Sequence, residues 1–337
     1  MKREGHLFAR IVDFDALYVA MNRASLGRRS KPSVAAFLFQ AEGNLLQLQA
    51  DLLGRTYQPG PSTIFTIHDP KERTIHAPPF RDRVVHHAVC AAVAPVFERV
   101  AIFDSYACRC GKGVHAAVAR AQQFCQRWRY FLKLDVAKYY PSIDHDVLKV
   151  GVRRLVKDRA VLQLLDRIID HGPPGAPVGK GLPIGNLTSQ HFANLYLGAL
   201  DHFAKESLGV EGYVRYMDDV ALFSDTKREL WLWHAALSKY IGENLRLRWK
   251  NEATVLAPVS EGVPFLGLHI WPRIKRLTRG RRRRFVHRLF AAHGAMMLDL
   301  DEQRWLDSMT STVASAAIAD TYRLRCDVFS RMMEVEG

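Results

Sequence analysis

Cysteine is scarce in this 337-residue chain, and what there is forms no metal-binding pattern. The five residues, Cys90, Cys108, Cys110, Cys125 and Cys326, are odd in number and include no C-x-x-C pair, so neither a disulfide framework nor a zinc fold is expected. The fourteen histidines are scattered too; the adjacent His86 and His87 fall in an apolar helical pattern, where packing and hydrogen bonding are expected, and no structural metal is assigned. With 48% apolar residues the composition is that of neither a disordered nor a membrane-spanning chain. The apolar stretch at residues 7–12, behind Met1, Lys2 and Arg3, is too short for the core of a signal peptide, so a cytoplasmic protein without a membrane partner is expected. Acidic residues are in deficit, 34 against 48 Lys and Arg. The resulting net charge of +14 points to a polyanionic partner.

Against that shortage three aspartates stand out. Asp135 ends the apolar and aromatic run of residues 130–134 and is followed by Tyr139, Tyr140 and a tight Pro141-Ser142 segment, which puts its carboxylate at a strand end. About eighty residues later, Asp218 and Asp219 lie between two short β-prone runs, 213–217 and 220–223, in the pattern of a hairpin. Side chains alternate along such a turn, so one aspartate faces the neighbouring strand while the other faces away. An Asp-Asp pair taken alone is an ordinary solvated turn. A few carboxylates between apolar strands are also what Mg²⁺ needs, since it completes its shell with water and substrate phosphate, and paired divalent ions are the usual means of nucleotidyl transfer.

Residues 34–54 carry helical apolar spacing through Phe37, Leu38, Leu45, Leu46, Leu48, Leu52 and Leu53, stopping at Gly54 before Pro59-Gly60-Pro61. A strand is expected over 63–67 and helices over 82–96, 147–169, 189–204 and 229–245, with Thr188 or Ser189 capping the fourth of these segments. Three helices against a few antiparallel strands make the middle of the chain α+β. From Arg273 the character changes: nine of sixteen residues over 273–288 are basic. Such density repels itself unless phosphates or acidic groups neutralise it, so the run is either a solvated face or a contact with a nucleic-acid backbone. Apolar positions from Phe285 to Val313 then promise two or more helices.

In order along the chain, six segments resemble the reverse transcriptases. Residues 71–88 and 105–117 look like the fingers motifs of bacterial group II intron-like enzymes. The Asp135 segment, the stretch 181–190, the Tyr216-Met217-Asp218-Asp219 turn and the primer-grip-like Phe265-Leu266-Gly267 follow. The likeness runs from about residue 35 to the C-terminus. It implies a right-hand polymerase of fingers (1–128), an antiparallel palm (129–271) and a basic helical thumb (272–337). The length given leaves no room for an appended RNase H or endonuclease domain, since such modules take roughly another hundred residues, and none is expected.

The same resemblance assigns roles. Asp135, Asp218 and the backbone of Val136 would hold two Mg²⁺ ions, with Mn²⁺ as a substitute, and Asp219 would complete the acidic cluster. Val136 and Ala137 would meet the phosphates through their backbone. Tyr140 would be the aromatic gate that excludes a ribose 2′-hydroxyl. Lys71 and Arg73 would grip the triphosphate, or else form the charged end of a surface hairpin. Ile184, Gly185 and Gln190 would border the nucleotide, and Lys250 would donate a proton to pyrophosphate. Arg279, Arg281, Arg282, Arg283 and Arg284 would contact nucleic acid. The implied partners are template RNA, an RNA/DNA hybrid and deoxynucleoside triphosphates.

One departure narrows the resemblance. Most retroviral and group II intron enzymes carry Gln-Gly and Ser-Pro where this chain has Ile184-Gly185 and Ser189-Gln190. This form is similar to the reverse transcriptases of diversity-generating retroelements, carried by bacteria, phages and plasmids. It implies errors at template adenines, a basic accessory variability protein and a structured template RNA. Loss of an amide at Ile184 removes hydrogen bonds that report pairing geometry, unless Ile184 only packs. An antiphage defence reverse transcriptase and a catalytically idle RNA-binding subunit are the alternatives.

Overall fold

The computed structural model describes residues 3–68, 72–296 and 302–334. The chain divides into two compact units, each built from discontinuous stretches, whereas the sequence leads one to expect three consecutive domains. One comprises Met1–Phe103, Val136–Ser207 and Ala235–Trp249; the other comprises Asp104–Asp135, Leu208–His234 and Lys250–Gly337.

The first unit is mainly helical. Its centre is the Phe80–Glu98 helix, which buries Val84, Val85, Ala88, Val89, Ala92 and Val93 against the helices Phe14–Ser25 and Leu187–His202. Each buried valine contributes roughly 1.5 kcal/mol of transfer free energy. His86 is buried in the same helix with no hydrogen-bond partner for Nδ1, so it serves packing.

Three helical expectations need correction. The segment 34–54 is two helices, Pro32–Phe39 and Ala41–Leu53, broken at Gln40, where the Asn44 amide donates to the Phe37 carbonyl at 2.9 Å. Likewise 147–169 is two helices, His145–Arg153 and Arg159–Asp170, because Asp144 and Asp158 each cap a new N-terminus. Asp158 also accepts from the amides of Leu7 and Phe8, at 3.1 and 3.0 Å, and so caps the helix Leu7–Val12 as well. Finally, Thr188 and Ser189 do not cap: the helix starts at Leu187 behind Asn186, and both hydroxyl residues are buried inside it.

A two-stranded antiparallel hairpin, β1 (Thr63–Ile67) and β2 (Arg73–Ala77), completes this unit, with Ile67 opposite Arg73.

The second unit holds two antiparallel sheets. The larger is formed by β3 (Tyr130–Asp135), β4 (Gly212–Tyr216), β5 (Asp219–Ser224) and β6 (Val255–Pro258), in the order β4-β5-β3-β6. Three short strands, β7 (Val263–Phe265), β8 (Leu268–Ile270) and β9 (Lys275–Leu277), make the other. The Val114–Arg127 helix lays Ala117, Val118, Ala121 and Phe124 on a core shared with Phe131, Val214, Phe223 and Phe265. The basic run is not one element: it supplies β9 and then the first turns of the helix Arg279–Met296. Phe285 and Leu289 of that helix pack with Met309, Val328 and Met332 from the helices Glu302–Ala316 and Tyr322–Glu334. Among the described residues, no helix is long and apolar enough to cross a membrane.

Candidate active site

The register of the larger sheet brings two of the three aspartates face to face. Asp135, the last residue of β3, is paired with Asp219, the first of β5. Residues directly opposed across an antiparallel pair lie on one face, and Lys133, two residues back, shares it. Lys133 Nζ stands 2.6 Å from Asp219 Oδ1 as an ion pair. Burial pushes the Asp219 carboxyl up to about 6; Lys133 opposes the shift, and the charges of Asp135 and Asp218 add to it.

Among the described residues, no three His, Cys, Asp or Glu side chains converge as a ready-made metal cage. Asp135 and Asp218 are half-buried carboxylates beside the Lys133–Asp219 pair. That donor set fits Mg²⁺, which is held by one or two carboxylates plus water and substrate phosphates.

Asp218 sits on a two-residue turn, Met217-Asp218, closed by the Tyr216–Asp219 pair. Met217 has φ 53°, left-handed backbone that costs a non-glycine residue about 1–2 kcal/mol. Its carbonyl accepts from Arg215 Nη1 at 3.0 Å, while Arg215 Nη2 donates to Ser105 Oγ at 3.0 Å. Arg215 is only 1% exposed. Sequence reasoning passed over it, although a charge inside the apolar run from Tyr213 to Tyr216 was the available signal.

The primer-grip-like residues form another two-residue turn. Phe265 and Leu268 pair, and Leu266 and Gly267 between them have φ 50° and 78°. The Leu266 carbonyl accepts from Arg281 Nη1 at 3.1 Å, and Arg281 Nη2 donates to the Ser315 carbonyl at 2.9 Å. Arg281 is therefore a half-buried clamp within the protein, unlike the exposed Arg279, Arg282 and Arg283; Arg284 is half-buried. The Lys250 side chain is exposed, and its N–H donates to the Asp135 carbonyl at 2.8 Å.

The remaining expected residues belong to the first unit. Val136 is buried and bridges to Trp249, and the Ala137 N–H, expected to meet phosphate, instead donates to the Arg248 carbonyl at 3.0 Å. Tyr140 is half-buried in the Tyr139–Ser142 turn, with its ring edge-on to Tyr139 at 5.8 Å. The Ile184 carbonyl accepts from the His76 N–H at 2.7 Å, fastening this loop to β2. Gly185, at φ 123°, comes so close that a Cβ there would lie 2.7 Å from the His76 carbonyl. Gln190 is exposed on the Leu187–His202 helix and Arg73 is exposed on β2, while Lys71 lies outside the described residues.

Known proteins resemble parts of this chain. It is 26% identical to Protein YkfC of Escherichia coli (strain K12) over 221 residues, 62% of this chain and 54% of that protein. It is 25% identical to the group II intron-encoded protein LtrA of Lactococcus lactis subsp. cremoris over 170 residues, 48% of this chain and 28% of LtrA. The chain thus spans about half, or less, of these relatives' length. A telomerase structure from Candida albicans, with a fragment of telomeric RNA, aligns at 13% identity and a TM-score of 0.48, covering 82% of this chain and 55% of that one. The family model for reverse transcriptase (RNA-dependent DNA polymerase) matches residues 67–270, from the end of β1 to the end of β8 and across both aspartate sites. Over the greater part of its length, then, the chain belongs to the reverse transcriptase family.

Proposed function

We propose that this chain is an RNA-templated DNA polymerase in which Asp135 and Asp218 hold two Mg²⁺ ions, replaceable by Mn²⁺. The observation that carries the reading is the strand register that sets Asp135 opposite Asp219, beside the turn bearing Asp218. Bound Mg²⁺ would supply neutralisation of the triphosphate and a more acidic primer 3′-hydroxyl. Asp219, paired with Lys133, keeps a negative charge behind the two ligands, and Tyr140 restricts the sugar to deoxyribose. Lys71 and Arg73 meet the triphosphate and Lys250 protonates the departing pyrophosphate. The fingers, palm and thumb boundaries at 128/129 and 271/272 belong to this reading, as do template RNA, RNA/DNA hybrid and deoxynucleoside triphosphates as partners.

The test is deoxynucleotide incorporation on a primed RNA. Asp135→Asn and Asp218→Asn should each abolish it while leaving the fold and RNA binding intact, and retained activity in either variant at ordinary Mg²⁺ would sink the assignment.

A narrower role follows from Ile184. Its tether to β2 runs through its main-chain carbonyl, so the side chain is independent of that bond. An alkyl group stands where an amide would inspect the nascent pair, which favours error-prone copying at template adenines, as in diversity-generating retrohoming with a basic accessory protein in the cytoplasm. Ile184→Gln should lower misincorporation opposite adenine without stopping synthesis. Equal error spectra from the two proteins on one RNA would make Ile184 a packing residue.

A further inference from the structure

We propose that Arg215 is a positioning residue for the Met217-Asp218 turn: its buried guanidinium holds the carbonyl of the left-handed Met217 and thereby sets the direction of the Asp218 carboxylate. The inference rests on the polymerase reading for what Asp218 does, but its geometry stands by itself.

A two-residue turn whose first residue is a methionine at φ 53° is not the conformation the local sequence prefers. Something outside the turn must hold it, and Arg215 Nη1 reaches the Met217 carbonyl at 3.0 Å. The other arm of the fork donates to Ser105 Oγ at 3.0 Å, so the guanidinium is referenced to a second piece of chain. That piece is itself fixed. The Arg215 N–H donates to the Asp104 carbonyl at 2.9 Å, and the Tyr106 N–H donates to the Arg215 carbonyl at 3.0 Å, which seals residues 104–106 along the edge of β4. Arg120 Nε then ties the buried Asp104 carboxylate at 2.8 Å. Position is passed from Asp104 through Ser105 and Arg215 to the turn, and only a planar fork of fixed span reaches both oxygens; a lysine ammonium would serve one. Leu266 and Arg281 repeat the device at the β7–β8 turn, an arginine holding the carbonyl of a left-handed non-glycine residue.

The test is a double-mutant cycle on the full chain with Arg215→Lys and Met217→Gly, read by kcat and KM for incorporation and by amide hydrogen exchange. Arg215→Lys should lower kcat by roughly ten- to a hundredfold, the scale of a misplaced reacting group, with KM for the deoxynucleotide within about threefold. Amides of the turn should exchange faster while those of β3 and β5 keep their protection. In the Met217→Gly background, where positive φ carries no strain, the same arginine change should cost less than about threefold. Equal losses in the two backgrounds, or faster exchange spread evenly over the sheet, would mean that Arg215 only holds the fold and would overturn the proposal. Should Arg215→Lys not fold, Ser105→Ala frees one arm of the fork and should still speed exchange at the turn; unchanged exchange there overturns the proposal equally. Wild-type protein that incorporates no nucleotide would refute the polymerase reading instead, and the exchange pattern would still decide for or against the clamp.

Discussion

The buried His86 and the partly buried Asp219 are ionisable groups that each report what the surroundings do to a charge. Burial, with smaller contributions from His87, His171 and Arg83, drives the His86 imidazole down to about 3, so it is neutral in the folded chain at any ordinary pH. In the unfolded chain it titrates near its usual value of about 6.5. The unfolded state therefore binds the extra proton first, and stability falls as pH drops from about 6.5 toward 3, by at most about 1.4 kcal/mol per pH unit from this residue. Chemical denaturation at pH 7 and pH 5 should show the loss, and His86→Leu should flatten it; an unchanged slope would mean the imidazole is solvated. At this scale the sequence was read well where chemistry is local. The strand-end and turn positions of Asp135, Asp218 and Asp219 were legible from the apolar runs beside them, whereas the role of Arg215 was not, because its partner Ser105 becomes a neighbour only when residues 104–106 line β4.

Among elements, strands were legible where β-prone runs mark them, as at 63–67 and 130–135, whereas the four-residue β6 and the three-residue β7, β8 and β9 were not. Helix ends were less so. The breaks at Gln40 and before Asp158 depend on side chains that satisfy backbone groups from another helix, which no periodicity encodes. The loop 183–186 gives a direct test of element packing: Gly185→Ala adds a methyl 2.7 Å from the His76 carbonyl at φ 123°, and should cost about 1 to 3 kcal/mol in thermal or urea unfolding. The arginine helix divides by exposure. Replacing Arg279, Arg282 and Arg283 with Gln should flatten the dependence of RNA affinity on salt by about one unit of slope per lost phosphate contact, with the melting temperature unchanged. Arg281→Gln should do the reverse, lowering stability by about 1 to 3 kcal/mol with the salt slope kept, because its guanidinium serves two carbonyls of the protein. A slope that moves equally for both would place Arg281 on the RNA.

For the molecule as a whole, the three consecutive domains read from the sequence and the two interleaved units of the fold lead to different expectations for fragments. Residues 1–128 carry the expected fingers, yet the first unit also draws on Val136–Ser207 and Ala235–Trp249. Expressed alone, 1–128 should lack a cooperative thermal transition and near-ultraviolet dichroism, and a sharp transition would show that the fingers fold without those stretches. Linear reading could not anticipate this, since composition changes at Arg273 while the units exchange at 103, 135, 207, 234 and 249. The chain passes from one unit to the other at the peptide bond joining Asp135 to Val136.

That interleaving also has a consequence in time. As the polypeptide leaves the ribosome, the Phe80–Glu98 helix appears about a hundred residues before the Leu187–His202 helix that covers part of its apolar side. The first unit is complete only when Trp249 has emerged, 146 residues after Phe103. At a synthesis rate of about 5 to 20 residues per second, that interval lasts roughly 7 to 30 seconds. Until the Leu187–His202 helix has emerged, the nascent chain carries a partly uncovered valine-rich helix face, a natural place for a holding chaperone, and slow codons before residue 202 would lengthen the exposure and lower the yield of native protein.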